Sequence, residues 1–135
     1  MSWAAIAVGT AFVAGWIVGA AGRSSSEMAA GRAAEDVAFT TARTLVLEGR
    51  VALYQDNYGD ARRAFDQAAT TVTALQRRLR ETGLGERAGL LEVALGYLRQ
   101  AADQATSLDP GAQSAADAAL QTLEVVRGAT SESSR

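Results

Sequence analysis

Residues 58–81 read YGDARRAFDQAATTVTALQRRLRE, and along them Ala61, Phe65, Ala68, Val72, Leu75 and Leu79 recur at alternating steps of four and three. That spacing gathers the apolar side chains into one stripe of an α-helix and would scatter them over both faces of a strand, so it selects the helix. The same rhythm continues on both sides. Upstream, a helix over about 27–55 presents Ala38, Ala42, Leu45, Gly49 and Ala52. Downstream, a helix over about 85–107 presents Ala88, Leu91, Leu95, Leu98, Ala102 and Ala105, with Leu84 one step ahead in the connecting turn. A last helix over about 110–127 presents Ala112, Ala116, Ala119, Leu123 and Val126. Consecutive helices with narrow apolar seams predict a bundle, and seams this rich in alanine and glycine predict close axial packing.

The connections agree with these limits. Asn57, followed three residues later by Asp60, is a variant of the capping box, and Gly83 suits the left-handed position after a helix. Asp109 before Pro110 places a carboxylate cap ahead of a residue whose missing N–H is harmless in the first turn. Connections of a few residues make neighbouring helices antiparallel.

Ahead of the bundle, residues 3–22 read WAAIAVGTAFVAGWIVGAAG, with no charge and Thr10 as the one hydroxyl. As a helix this stretch would be ~30 Å long, the thickness of a bilayer's hydrocarbon core, so it is expected to be a transmembrane anchor. A cleaved signal peptide is the rival reading, because Val18 and Ala20 are spaced for cleavage. No Lys or Arg precedes the stretch and it exceeds a usual signal core, which favours retention. Arg23 and Arg32 follow it, so the positive-inside rule puts the C-terminal domain in the cytoplasm and the N-terminus outside. Ala7, Ala11, Gly15 and Gly19 form a strip of minimal side chains on the anchor, a docking face for another membrane helix or simply the small-residue habit of such spans. Ser24 and Glu27 have capping-box spacing and predict a fresh helix start after a short hinge, with a continuous helix as the alternative. The expected organisation is a transmembrane anchor at 1–22, a hinge at 23–27, a helical domain at 28–127 and a frayed tail at 128–135.

Composition closes many chemistries. The chain has 135 residues and carries Arg without Lys, no His and no Cys, and its net charge is −2. Imidazole and thiolate nucleophiles, their metal sites, disulfides and Schiff bases are excluded for want of the side chains. The charge balance gives no drive toward nucleic acid. Carboxylates alone remain for acid–base or metal work. Glu35 and Asp36 are adjacent and Asp56 and Asp60 share a turn, but all lie off the seams, where solvated faces and caps are expected. No catalytic residue, metal or cofactor is expected, and no small-molecule substrate. Arginine used to the exclusion of lysine suggests a GC-rich bacterial source.

The stretch from Glu48 to Ala68, EGRVALYQDNYGDARRAFDQA, resembles a tetratricopeptide repeat. Gly49, Tyr58, Ala61, Phe65 and Ala68 stand at the family's spacings, and Leu45 sits where a large residue often lies. Residues 105–110, ATSLDP, are similar to the close of a second, degenerate repeat. The resemblance departs from the family at Thr73, where a closing proline is wanted, and in a second helix that runs past the repeat's length. It implies a helix-hairpin interaction scaffold, with no ligand and no catalytic residue. Independently of the family, Gly49 lets the first helix approach the face that carries Phe65.

Arg77, Arg78 and Arg80 form the one basic cluster. Cations near a helix C-terminus offset its dipole by ~0.3–1 kcal/mol each, and the alternative role is contact with lipid headgroups or an acidic partner. Tyr54, Tyr58 and Tyr97 lie beside the seams and are expected to be partly buried. Trp3 suits a membrane interface, and Trp16, deeper in the span, suits a neighbouring helix, lipid or pigment. The functional expectation is a single-pass protein of a bacterial inner membrane, a non-catalytic scaffold or accessory subunit of a larger membrane protein complex. The alternative is a tethered adaptor that binds peptides in a hairpin groove with Arg62 or Arg99.

Overall fold

The computed structural model describes residues 25–129 in full and, outside them, the helical backbone of residues 3–24 and 130–132. It is all-α over these residues, with α1 at Trp3–Tyr54, α2 at Tyr58–Glu81, α3 at Gly85–Thr106 and α4 at Gly111–Glu132. The chain divides into two units, Met1–Glu35 and Asp36–Arg135.

In the first unit the backbone is helical through residues 23–27, so the helix start expected at Ser24 does not occur and the segment expected to be a hinge is continuous helix. Its described side chains, from Ser25 to Glu35, are mostly exposed. The anchor read at 1–22, with its strip Ala7, Ala11, Gly15 and Gly19 and its tryptophans, lies outside the residues described in full. Among the described residues no helix is long and apolar enough to cross a membrane.

In the second unit, residues 36–54 of α1 join the other three helices around one core. Gly49 meets Phe65 between α1 and α2, and the Gln76 amide reaches the Ala88 carbonyl and the Glu92 carboxylate between α2 and α3. Helix α3 packs along α4. Arg43 and Arg50 of α1 meet Glu124 and Asp117 of α4 at 2.8 and 2.9 Å, so α4 lies antiparallel to α1 and closes the ring. Every seam residue expected on α2, α3 and α4 is buried. Each seam gains a second row: Ala64 on α2, Ala94 and Ala101 on α3, Ala115 on α4. A helix in a closed ring touches two neighbours, and one a/d row covers only one of them. On α1 this shifts the centre of the stripe. Phe39 and Val46 are buried there, while Ala38 and Leu45 are half-buried at its margin.

The three connections are one turn used three times. Each helix ends on a left-handed residue: Asp56 with φ 54°, Gly83 with φ 79° and Leu108 with φ 55°. The N–H of the following residue bonds back five positions, closing a six-residue loop, Asn57 to Ala52, Leu84 to Leu79 and Asp109 to Gln104, each at 2.8 Å. This is the Schellman arrangement, which satisfies carbonyls the helix end leaves open. The residue completing that bond also sits at the start of the next helix. The Asn57 side chain accepts from the Asp60 N–H at 3.2 Å, and the Asp109 carboxylate accepts from the Gly111 N–H at 2.7 Å. Helix α4 begins at Gly111, leaving Pro110 in the turn, and continues to Glu132 through part of the segment expected to fray.

Candidate interaction surfaces

Among the described residues, no three acidic side chains gather into a group able to hold a metal ion. The acids are engaged singly in local roles. Asp60 pairs with Arg63 and accepts from the Asn57 amide, Asp66 lies 3.6 Å from Arg62, and Asp56 occupies its left-handed turn position. Asp36 is exposed, and Glu35 is half-exposed.

The residues carrying the repeat resemblance do come together. Ala61, Phe65 and Ala68 are buried on α2, Gly49 is buried on α1, and Leu45 and Tyr58 pack at the edge of the same core. A Cβ built on Gly49 would stand 2.5 Å from Cε1 of Phe65, closer than any carbon pair tolerates. The α1–α2 approach therefore depends on glycine at this position.

The basic cluster is split by its surroundings. Arg77 and Arg78 are exposed, whereas Arg80 turns toward Glu92 of α3 at 3.8 Å, beside the buried Gln76. An ion pair this exposed is worth ~0–1 kcal/mol. The tyrosines also differ from one another. Tyr58 is half-buried, Tyr97 is at the margin of exposure, and Tyr54 is 75 % exposed, which corrects the expectation of partial burial. Tyr54 and Tyr58 border a cavity of about 150 Å³ with Leu53, Asp109, Pro110 and Gln113, at the end of the bundle where two turns meet.

Among the described residues two largely apolar stripes remain outside the core, and neither belongs to an expected seam. On α3, Leu90, Val93 and Tyr97 are exposed at steps of three and four, and Gly89 and Gly96 beside them face open space. On α1, Val37, Thr40, Thr44, Leu47, Val51 and Tyr54 run along the side opposite the buried stripe, and all except the half-buried Leu47 are exposed. The available signal was the surplus of uncharged residues on α1 and α3, more than one core-facing stripe can use. On α2, by contrast, the outward positions are taken by Arg62, Arg63, Asp66, Arg77 and Arg78.

Grooves flank the α1 stripe. One, of about 400 Å³, runs along Thr44, Leu47, Glu48, Val51 and the start of α2. The other, of about 570 Å³, runs between α1 and α4 past Arg43, Leu47, Arg50, Leu120 and Val125. Leu47 borders both. No family model, curated protein or solved structure matches this chain.

Proposed function

We propose that this chain is a non-catalytic scaffold, a membrane-anchored accessory subunit whose helical domain covers a surface of a larger integral-membrane assembly. The observation that carries this reading is the exposed strip Leu90, Val93 and Tyr97 on a bundle whose core is already complete. A soluble bundle gains nothing by exposing apolar side chains in register, and such strips mark contact with another protein. The charge-free sequence at 3–22 supplies the anchor in this proposal, with the small strip Ala7, Ala11, Gly15 and Gly19 as its contact in the bilayer. Two tethered contacts raise each other's effective concentration, so each can be weak.

The tetratricopeptide reading of the α1–α2 hairpin belongs to the same proposal and is supported by the approach of Gly49 to Phe65. The adaptor alternative has less support. It requires an open concave face beside the hairpin, and that space is filled by α3 and by α4, which is held to α1 through Arg43 and Arg50. Arg62, assigned to peptide carboxylates in the adaptor, lies beside its own Asp66.

The test is extraction of the full chain from its membranes in mild detergent, followed by mass spectrometry of the chains that copurify. The expected result is at least one other integral-membrane protein in fixed ratio, lost in Val93→Glu, whose substitution at an exposed position leaves the fold intact. Recovery of this chain with no other protein, or in the soluble fraction without detergent, would overturn the proposal.

A further inference from the structure

We infer that the outer stripe of α1 is the seam of a parallel homodimer of this chain. The stripe has the geometry of a two-stranded coiled coil. Val37, Thr44 and Val51 occupy one row and Thr40, Leu47 and Tyr54 the other, at steps of three and four with no charge among them. The helix is already held rigid by the core on its other side through Phe39, Ala42, Val46 and Gly49, so docking does not have to order it.

The flanks decide both the occupant and its direction. On the α4 side the stripe is bordered by Arg43 and Arg50, and on the α2 side by Glu48. In a parallel pair, each residue on one flank faces the residue five positions later on the opposite flank of the partner. Arg43 of one copy then faces Glu48 of the other, twice by symmetry, while Arg50 faces the neutral Gln55 and Asp36 faces Thr41. An antiparallel pair sets like flank against like, arginine toward arginine and Glu48 toward Glu48. The surface therefore complements itself only when two copies run the same way. Arg43 already meets Glu124 of α4 through Nε, but a guanidinium carries five N–H donors, and one contact leaves it able to serve a second carboxylate. The grooves on either side of Leu47 provide room for the side chains of the second helix. This inference does not depend on the membrane assembly proposed above, since a dimer presents two α3 strips whether or not anything binds them.

The chain has no cysteine, so single cysteines report cleanly. Val37→Cys and Tyr54→Cys stand at opposite ends of the stripe and are prepared in the full-length protein in detergent, separately and as a mixture. Gln67→Cys, exposed on α2, is the control. Under mild oxidation, Val37→Cys and Tyr54→Cys are each expected to form disulfide-linked dimers with themselves, without mixed dimers between them and without linkage of the control. Glu48→Arg, at an exposed position, should weaken the dimer roughly tenfold, because two attractive pairs become repulsive. Arg43→Glu combined with Glu48→Arg should restore it, since the charges of the facing pair are exchanged, with Glu124→Arg added to keep the α1–α4 pair. Circular dichroism confirms that the helices persist in each variant. Mixed dimers between Val37→Cys and Tyr54→Cys would establish the antiparallel arrangement and overturn the inference. So would a monomer by light scattering, linkage of the stripe to a different protein, or a dimer that neither position captures and Glu48→Arg leaves unchanged.

Discussion

At the residue scale, single positions hold this fold through geometry more than through chemistry. Gly49 is the clearest, because the ring of Phe65 fills the space where its side chain would project. Gly49→Ala should lose about 1–3 kcal/mol by overpacking, read as a lower urea midpoint with an unchanged slope. Adding Phe65→Leu to Gly49→Ala should recover part of that loss, a coupling that two independent sites would not show. Leu108 is the converse case. It is 64 % exposed and held at φ 55°, where an L-residue is disfavoured by ~1–2 kcal/mol. Leu108→Gly should therefore stabilise the protein by about 0.5–1 kcal/mol, after the greater freedom of glycine in the unfolded chain is set against the relief, and the thermal midpoint should rise by several degrees. Gly83 was legible in the sequence as a helix terminator because glycine advertises the left-handed region. Leucine does not and aspartate does so only weakly, and the turns at Asp56 and Leu108 appear once the six-residue bond and the following helix impose them.

At the scale of the elements, one economical turn links all four helices. The residue that terminates one helix also opens the next, so Asn57 and Asp109 each act on two helices at once. Asn57→Ala and Asp109→Ala should each remove about 1 kcal/mol from global stability, measurable by chemical denaturation, since a lost cap bond leaves an N–H of the next helix unsatisfied. Leu84→Ser, by contrast, would supply a capping oxygen where none now bonds, and a small gain of a few tenths of a kcal/mol is expected there. The helices themselves fall into two kinds. Helix α2 separates its apolar and charged residues cleanly, and its limits and seam could be read directly. Helices α1 and α3 carry uncharged residues on two sides; the seam expected on α3 is the buried one, whereas on α1 Phe39 and Val46 take the centre from Ala38 and Leu45.

At the scale of the whole bundle, the ring closes where α4 meets α1, and that closure converts a hairpin scaffold into a body with outward-facing contact strips. If the α3 strip is a contact surface, Val93→Glu should leave the thermal midpoint and helix content within error of the parent protein while abolishing recovery of the partner chain. A core residue would move both together. The sequence by itself determined the helical class, the approximate limits of α2 and α3, the caps at Asn57 and Asp109 and most of the core, because apolar period and capping chemistry are local and each residue declares them; the start of α1, expected at Ser24, lies elsewhere. It also excluded imidazole, thiol and lysine chemistry outright, since those side chains are missing. What only the tertiary structure decided is where the buried stripe of α1 is centred, and that α1 and α3 each keep a second uncharged stripe outside the core. Phe39 and Val46 lie inward and Val37, Val51 and Val93 outward, although all are apolar residues within helical stretches of sequence. The reason is that burial depends on the number and direction of a helix's neighbours, and those are fixed by ring closure between segments far apart in the chain.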